Sequence, residues 1–112
     1  MPEISSDERG RRAFQLHREK AVDNAIEKIR ESTGPAWRAL STSEIELLRY
    51  MLGESWVATG KATWERFSFS RLTRKDLEEM ISLGASVRRR EKTEGEAVER
   101  VIGILQRTLS PT

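Results

Sequence analysis

Apolar residues recur along this chain at two different periods, and the change between them divides it. Over residues 5–31, Phe14, Val22, Ala25, Ile26 and Ile29 fall on one helical face, behind Ser5 and Glu8 at capping-box spacing. The upper part of that helix carries Arg9, Arg11, Arg12, Arg18 and Lys20 and has little to bury, so it is expected to project from the core or to pack on a partner. Ser32-Thr33-Gly34-Pro35 then breaks the helix, because the residue before a proline is pushed out of helical backbone angles. Trp37 and Leu40 are expected to staple this turn onto the core.

A second capping-box pair, Ser41 and Glu44, opens a short helix built on Ile45, Leu47, Leu48, Met51 and Leu52 and expected to stop at Gly53. The period then changes to two. Trp56–Ala58, a turn at Thr59-Gly60-Lys61 and Thr63–Ser70 read as a β-hairpin, with Glu65, Phe67 and Phe69 on one side and Trp64, Arg66 and Ser68 on the other. A lone hairpin is marginal in water, so Phe67 and Phe69 are expected beneath helices, with Trp64 left exposed on the opposite face. Thr73 and Asp76 cap a further helix with Leu77, Met80, Ile81, Gly84 and Val87 on one face, where Gly84 would admit another backbone at close range. Thr93 and Glu96 offer a last cap before the stripe Val98, Val101, Ile102, Leu105 and Leu109, and the pattern leaves open whether residues 74–109 are one helix or two hinged near Gly95.

These elements predict an α+β fold: a small helix-hairpin-helix core over 41–92, a two-stranded antiparallel sheet packed on helices, with an extra amino-terminal helix (5–31) and a carboxy-terminal helix (94–109). At 112 residues the chain is one domain, 1–112. It has no cysteine, which removes disulfides, thiolate metal sites and thiol nucleophiles together. His17 is the single imidazole and sits in a charged stretch, no phosphate-loop, nucleophile-elbow or zinc-protease motif occurs, and Glu78 and Glu79 are adjacent and so face apart. The expectation is a protein that is not an enzyme, with no metal and no cofactor. No apolar run approaches a membrane span, and the first ten residues lack the apolar centre of a signal peptide, so a cytosolic product is expected.

The net charge is only +2, but residues 55–92 hold nine basic side chains against five acidic ones. Such a surplus suits a polyanion and is also ordinary on surfaces that never meet one. Its sharpest feature is Arg88-Arg89-Arg90, which spreads around a helix so that one or two arginines could face phosphates while the others pair with Glu91 or Glu94 or complement the helix dipole. Tyr50, Trp56 and Trp64, with Lys61 and Arg66, read as a base-stacking platform, a protein anchor or the second side of the core; the few cations among them favour a protein partner.

The run from Gly60 to Leu77, with Trp64-Glu65-Arg66-Phe67-Ser68-Phe69-Ser70 as the strand and Asp76-Leu77 opening the helix, resembles the W-type head-tail joining proteins of tailed phages. The likeness spans roughly residues 44–90. It implies a structural virion protein of the head-tail connector: a homo-oligomeric ring under the portal that retains packaged DNA and presents a surface to a tail or neck protein, assembled in the host cytoplasm and ending in the virion neck. Arg74, Lys75, Arg88, Arg89 and Arg90 are then the candidates for the DNA-lined lumen or the portal contact, and Trp56, Trp64 and Arg66 for a protein interface. The alternative is a small DNA-binding transcriptional regulator of winged-helix type, with residues 45–52 and 77–87 as the helix pair and the hairpin as wing.

Overall fold

The computed structural model describes residues 6–109, and the surroundings of side chains from Glu8 onward. The described residues form six α-helices and one 3-10 turn, with no strand: α1 Ser6–Thr33, α2 Pro35–Arg38, α3 Thr42–Thr59, α4 Lys61–Trp64, the 3-10 turn Phe69–Arg71, α5 Arg74–Arg88 and α6 Glu94–Gln106. The predicted α+β architecture is therefore wrong: the described residues are all-helical.

The error has a physical origin in residues 53–70. Gly53 does not end its helix: α3 runs on to Thr59, because Ser55 and Trp56 continue the stripe of Leu48, Met51 and Leu52 and are buried with it. Ser55 completes its hydrogen bonding inside the helix, its Oγ donating to the Met51 carbonyl at 2.7 Å, so a polar residue costs little there. Gly53 is where α1 crosses α3; a Cβ on it would lie 3.7 Å from Arg18 Cδ and 3.9 Å from Val22 Cγ2. The helix ends at Gly60, whose φ of +84° is open to glycine at no steric cost. From there the single turn of α4 and the 3-10 turn bring Trp64, Phe67 and Phe69 to the same side, with ring centroids 4.9–6.2 Å apart. A strand would have put Trp64 opposite the two phenylalanines; here it is 4% exposed.

Other boundaries follow the sequence closely. Ser41 with Glu44 and Thr73 with Asp76 form complete capping boxes, and the Thr93 hydroxyl accepts from the Glu96 amide at 3.2 Å. The cap expected from Ser5 and Glu8 lies outside the described residues. Residues 74–109 are two helices, and the hinge falls at 89–93, before Gly95. It turns through Arg90, which takes φ +62°, while the Glu91 amide closes on the Ser86 carbonyl at 2.9 Å. This is a left-handed helix stop built on an arginine where glycine is usual, at a cost of roughly 1 kcal/mol.

The core is a bundle arranged around α3, which packs against α1, α5 and α6. Ile29 of α1, Leu48 and Met51 of α3, Leu77 and Met80 of α5 and Leu105 of α6 are fully enclosed. The far end is tied by Thr108: its hydroxyl accepts from the Ser68 amide at 3.0 Å and donates to the Leu105 carbonyl at 2.5 Å. One element departs from this compactness. Residues 8–17 of α1 are exposed throughout, and the first fully buried side chain on that helix is Val22. The radius of gyration is 15.1 Å, against about 13 Å for a compact domain of this length.

Candidate functional site

The basic residues singled out in the sequence do not form one surface. Arg74 and Lys75 lie in the first turn of α5 and Arg88 ends it, so the two groups are about 20 Å apart along the helix. Arg74 pairs with Glu78 at 2.9 Å and Arg89 with Glu91 at 2.9 Å, both in solvent, where such pairs contribute little. Trp56 and Trp64 are buried in the chain's own core at 8% and 4% exposure, so neither is the surface anchor expected; Arg66 is exposed on the turn after α4. Lys61, beside them, is exposed as well.

What the aromatic residues do build is the floor of a groove. It runs between α1 and the α3–α4 corner and has a volume of about 380 Å³. Trp56, Trp64, Phe67 and Phe69 line one side, and Ala21 and Ala25 of α1 face them. The space exists because two alanines, and no larger residues, stand across from large rings. His17, Lys20, Asn24 and Lys28 follow one another on α1 at intervals of three, four and four residues, a single helical stripe, and form the rim; Lys61 and Glu65 complete it from α4. Lys20, Lys28 and Lys61 are exposed and enter no ion pair among the described residues. Sequence reading misses this groove, although the stripe of donors behind two alanines is visible as a pattern; the identity of the opposite wall is not.

On the other side of α1 lies an acidic corner. Tyr50 donates its hydroxyl to Glu94 across the α3–α6 contact, and Glu54 sits one turn further along α3, with Arg18 at 3.8 Å from its carboxylate. Burial, then the hydrogen bond and charge of Glu94, push the Tyr50 phenol up to about 12. Burial also raises the Glu54 carboxyl above its ordinary value, with the charge and hydrogen bond of Glu94 adding to it and Arg18 opposing it. A carboxyl group whose pKa is higher folded than unfolded stabilises the fold fully below its unfolded pKa, and that stability is lost as pH rises through the folded value. Urea midpoints measured across the acid range up to neutrality are therefore expected to carry a component that falls with rising pH, and Glu54→Gln is expected to remove it. An unchanged pH profile in that variant would show that Glu54 carries no net charge penalty.

Among the described residues no group of three or more His, Cys, Asp or Glu is placed to hold a metal ion, and no buried side-chain nitrogen or oxygen lacks a hydrogen-bond partner. No helix among them is long and apolar enough to cross a membrane. Comparison with family models, with curated proteins and with solved structures finds no match.

Proposed function

We propose that this protein is a non-enzymatic assembly subunit that associates with further copies of itself through the projecting amino-terminal half of α1. The observation that carries the reading is that arm: residues 8–17 are exposed throughout, with Phe14 at 47% and Leu16 at 65% exposure. Phe14 reaches back to the Trp56 ring at 5.2 Å between centroids, and Leu16 has no such cover. Single exposed apolar residues are common, but here they stand on a helical extension that contributes no enclosed side chain to its own core. The arm carries Arg9, Arg11 and Arg12 beside Glu8, whereas the exposed surface of α6 carries Glu94, Glu96 and Glu99 with Arg100. Opposite charges on different faces of one chain favour a head-to-tail contact between copies, the kind that closes into a ring when its rotation permits.

This keeps the coarse part of the connector reading, an oligomeric structural protein. Its specific place beneath a portal rested on paired strands over residues 56–70, and that segment holds helical turns and no strand. The DNA-binding alternative loses its wing, since no strand forms over residues 56–70; its helix pair, residues 45–52 and 77–87, falls within α3 and α5 and is left without that wing.

Native mass spectrometry and sedimentation of the full chain test the proposal. The expected result is a homo-oligomer at micromolar concentration that weakens at high salt and that Leu16→Glu converts to a folded monomer. A chain that stays monomeric from about 1 to 100 μM, well above the dissociation constants of stable assemblies, would overturn it.

A further inference from the structure

We infer that the seat of the arm is the outer face of α6 in a neighbouring copy, the two helices lying side by side and running in the same direction. This rests on the reading of the arm as an assembly element and adds the surface that receives it. Arg9, Arg12 and Leu16 stand at i, i+3 and i+7 on α1, all exposed, in one stripe on the side away from the buried Val22, Ala25 and Ile29. Glu96, Glu99 and Gly103 repeat that spacing on α6, on the side away from its buried Val98, Val101 and Leu105. Laid parallel over about 10 Å, the stripes bring Arg9 level with Glu96, Arg12 with Glu99 and Leu16 with Gly103. None of the four charged side chains enters an ion pair among the described residues, so each is available to a neighbour. No atom lies within 4 Å of where a Cβ on Gly103 would stand, so Leu16, 65% exposed in its own chain, finds room there.

The other charges on the two faces tolerate this register. Arg100 comes level with Ala13, the small residue of the arm, and Arg107, level with Lys20, is drawn back toward Asp76 at 3.8 Å and Glu79 at 4.0 Å. With the arm reversed, the same two arginine–glutamate pairs leave Leu16 level with Lys92, before the start of α6. The outer face of α5 offers less, since its Glu78 is already paired with its own Arg74 at 2.9 Å and Lys75 stands beside them. Residues 8–17 are exposed throughout, so the arm does not occupy this seat within its own chain, and the occupant is a second copy. A donor stripe on one helix and an acceptor stripe on another make the contact heterologous, head to tail, in keeping with assembly into a ring.

Sedimentation velocity and native mass spectrometry of the full chain at low salt test this with Arg12→Glu, Glu99→Arg, an equimolar mixture of the two, and the double variant. Both positions are exposed and unpaired, so each single variant is expected to keep the wild-type circular dichroism and Tm. Each alone is expected to weaken assembly at least about tenfold, because an attraction between neighbours becomes a repulsion. The mixture is expected to recover assembly, since the altered arm of one variant meets the altered face of the other, and the double variant is expected to recover it by the same pairing between its own copies. Glu99→Arg assembling as tightly as the wild type, or a mixture no stronger than its components, would overturn the inference. If Leu16→Glu still gave a monomer in that case, the arm would remain the assembly element and only its seat would lie elsewhere. A wild-type chain that is monomeric throughout would overturn both readings together.

Discussion

Replacing Trp64 by alanine is expected to destabilise the protein by about 4 kcal/mol, the upper range for removing a buried aromatic side chain. The indole is 4% exposed and stands 4.9 Å from the Phe69 ring and 6.1 Å from that of Phe67, measured between centroids. Removing it takes away packing that helps hold the short α4 turn on α3 and the 3-10 turn on α1. These elements have few internal hydrogen bonds of their own, so side-chain burial is what keeps them in place. Chemical denaturation followed by circular dichroism reads the loss directly. The experiment also discriminates between architectures: on the exposed face of a hairpin, the same substitution would change stability by a few tenths of a kcal/mol. A loss below about 1 kcal/mol would mean that the aromatic cluster is not part of the core.

The second large effect is expected at Gly84, where Val is expected to cost about 3 kcal/mol by overpacking. A Cβ at this position would meet Met51 Cγ at 3.1 Å, the Leu47 carbonyl oxygen at 3.2 Å and Leu47 Cβ at 3.3 Å. The methionine can move aside, but the other two atoms belong to the backbone and stem of α3. The two helices would have to separate, and α3 carries the packing of the whole bundle. Gly103 provides the control: it too is helical, but nothing lies within 4 Å of an added Cβ. Gly103→Ala is therefore expected to raise stability by up to about 1 kcal/mol through helix propensity alone. If Gly84→Val proved as harmless as Gly103→Ala, α3 and α5 would not cross where the structure brings them together.

The role of Gly84 is legible in the amino-acid pattern, since a glycine within a helical apolar stripe asks for a close neighbour, whereas Gly53 reads as a helix stop and is not one. Both glycines lie inside helices and both admit another helix. A helix stop and a helix contact look alike in local sequence, and only the neighbour distinguishes them. Similarly, Trp64, Phe67 and Phe69 satisfy an alternating pattern as well as a helical turn followed by a tighter one. A short aromatic run does not contain enough positions to separate a period of two from a period near three. The rim of the groove is partly visible, as donors at helical spacing on α1, but the aromatic residues opposite it come from about forty positions later in the chain.

By itself the sequence determined where three of the six helices begin, because Ser41, Thr73 and Thr93 satisfy their own first-turn amides with atoms a few bonds away. It determined the stripes of α1, α5 and α6 and the break before Pro35 for the same reason: these are interactions between near neighbours, or burial repeated at a fixed period. Tertiary structure alone decided that residues 54–71 coil, that the tryptophans turn inward, and that the basic groups at the two ends of α5 never meet. Each of those outcomes depends on which surface covers a given side chain, and burial is a property of the assembled helices that no short segment carries.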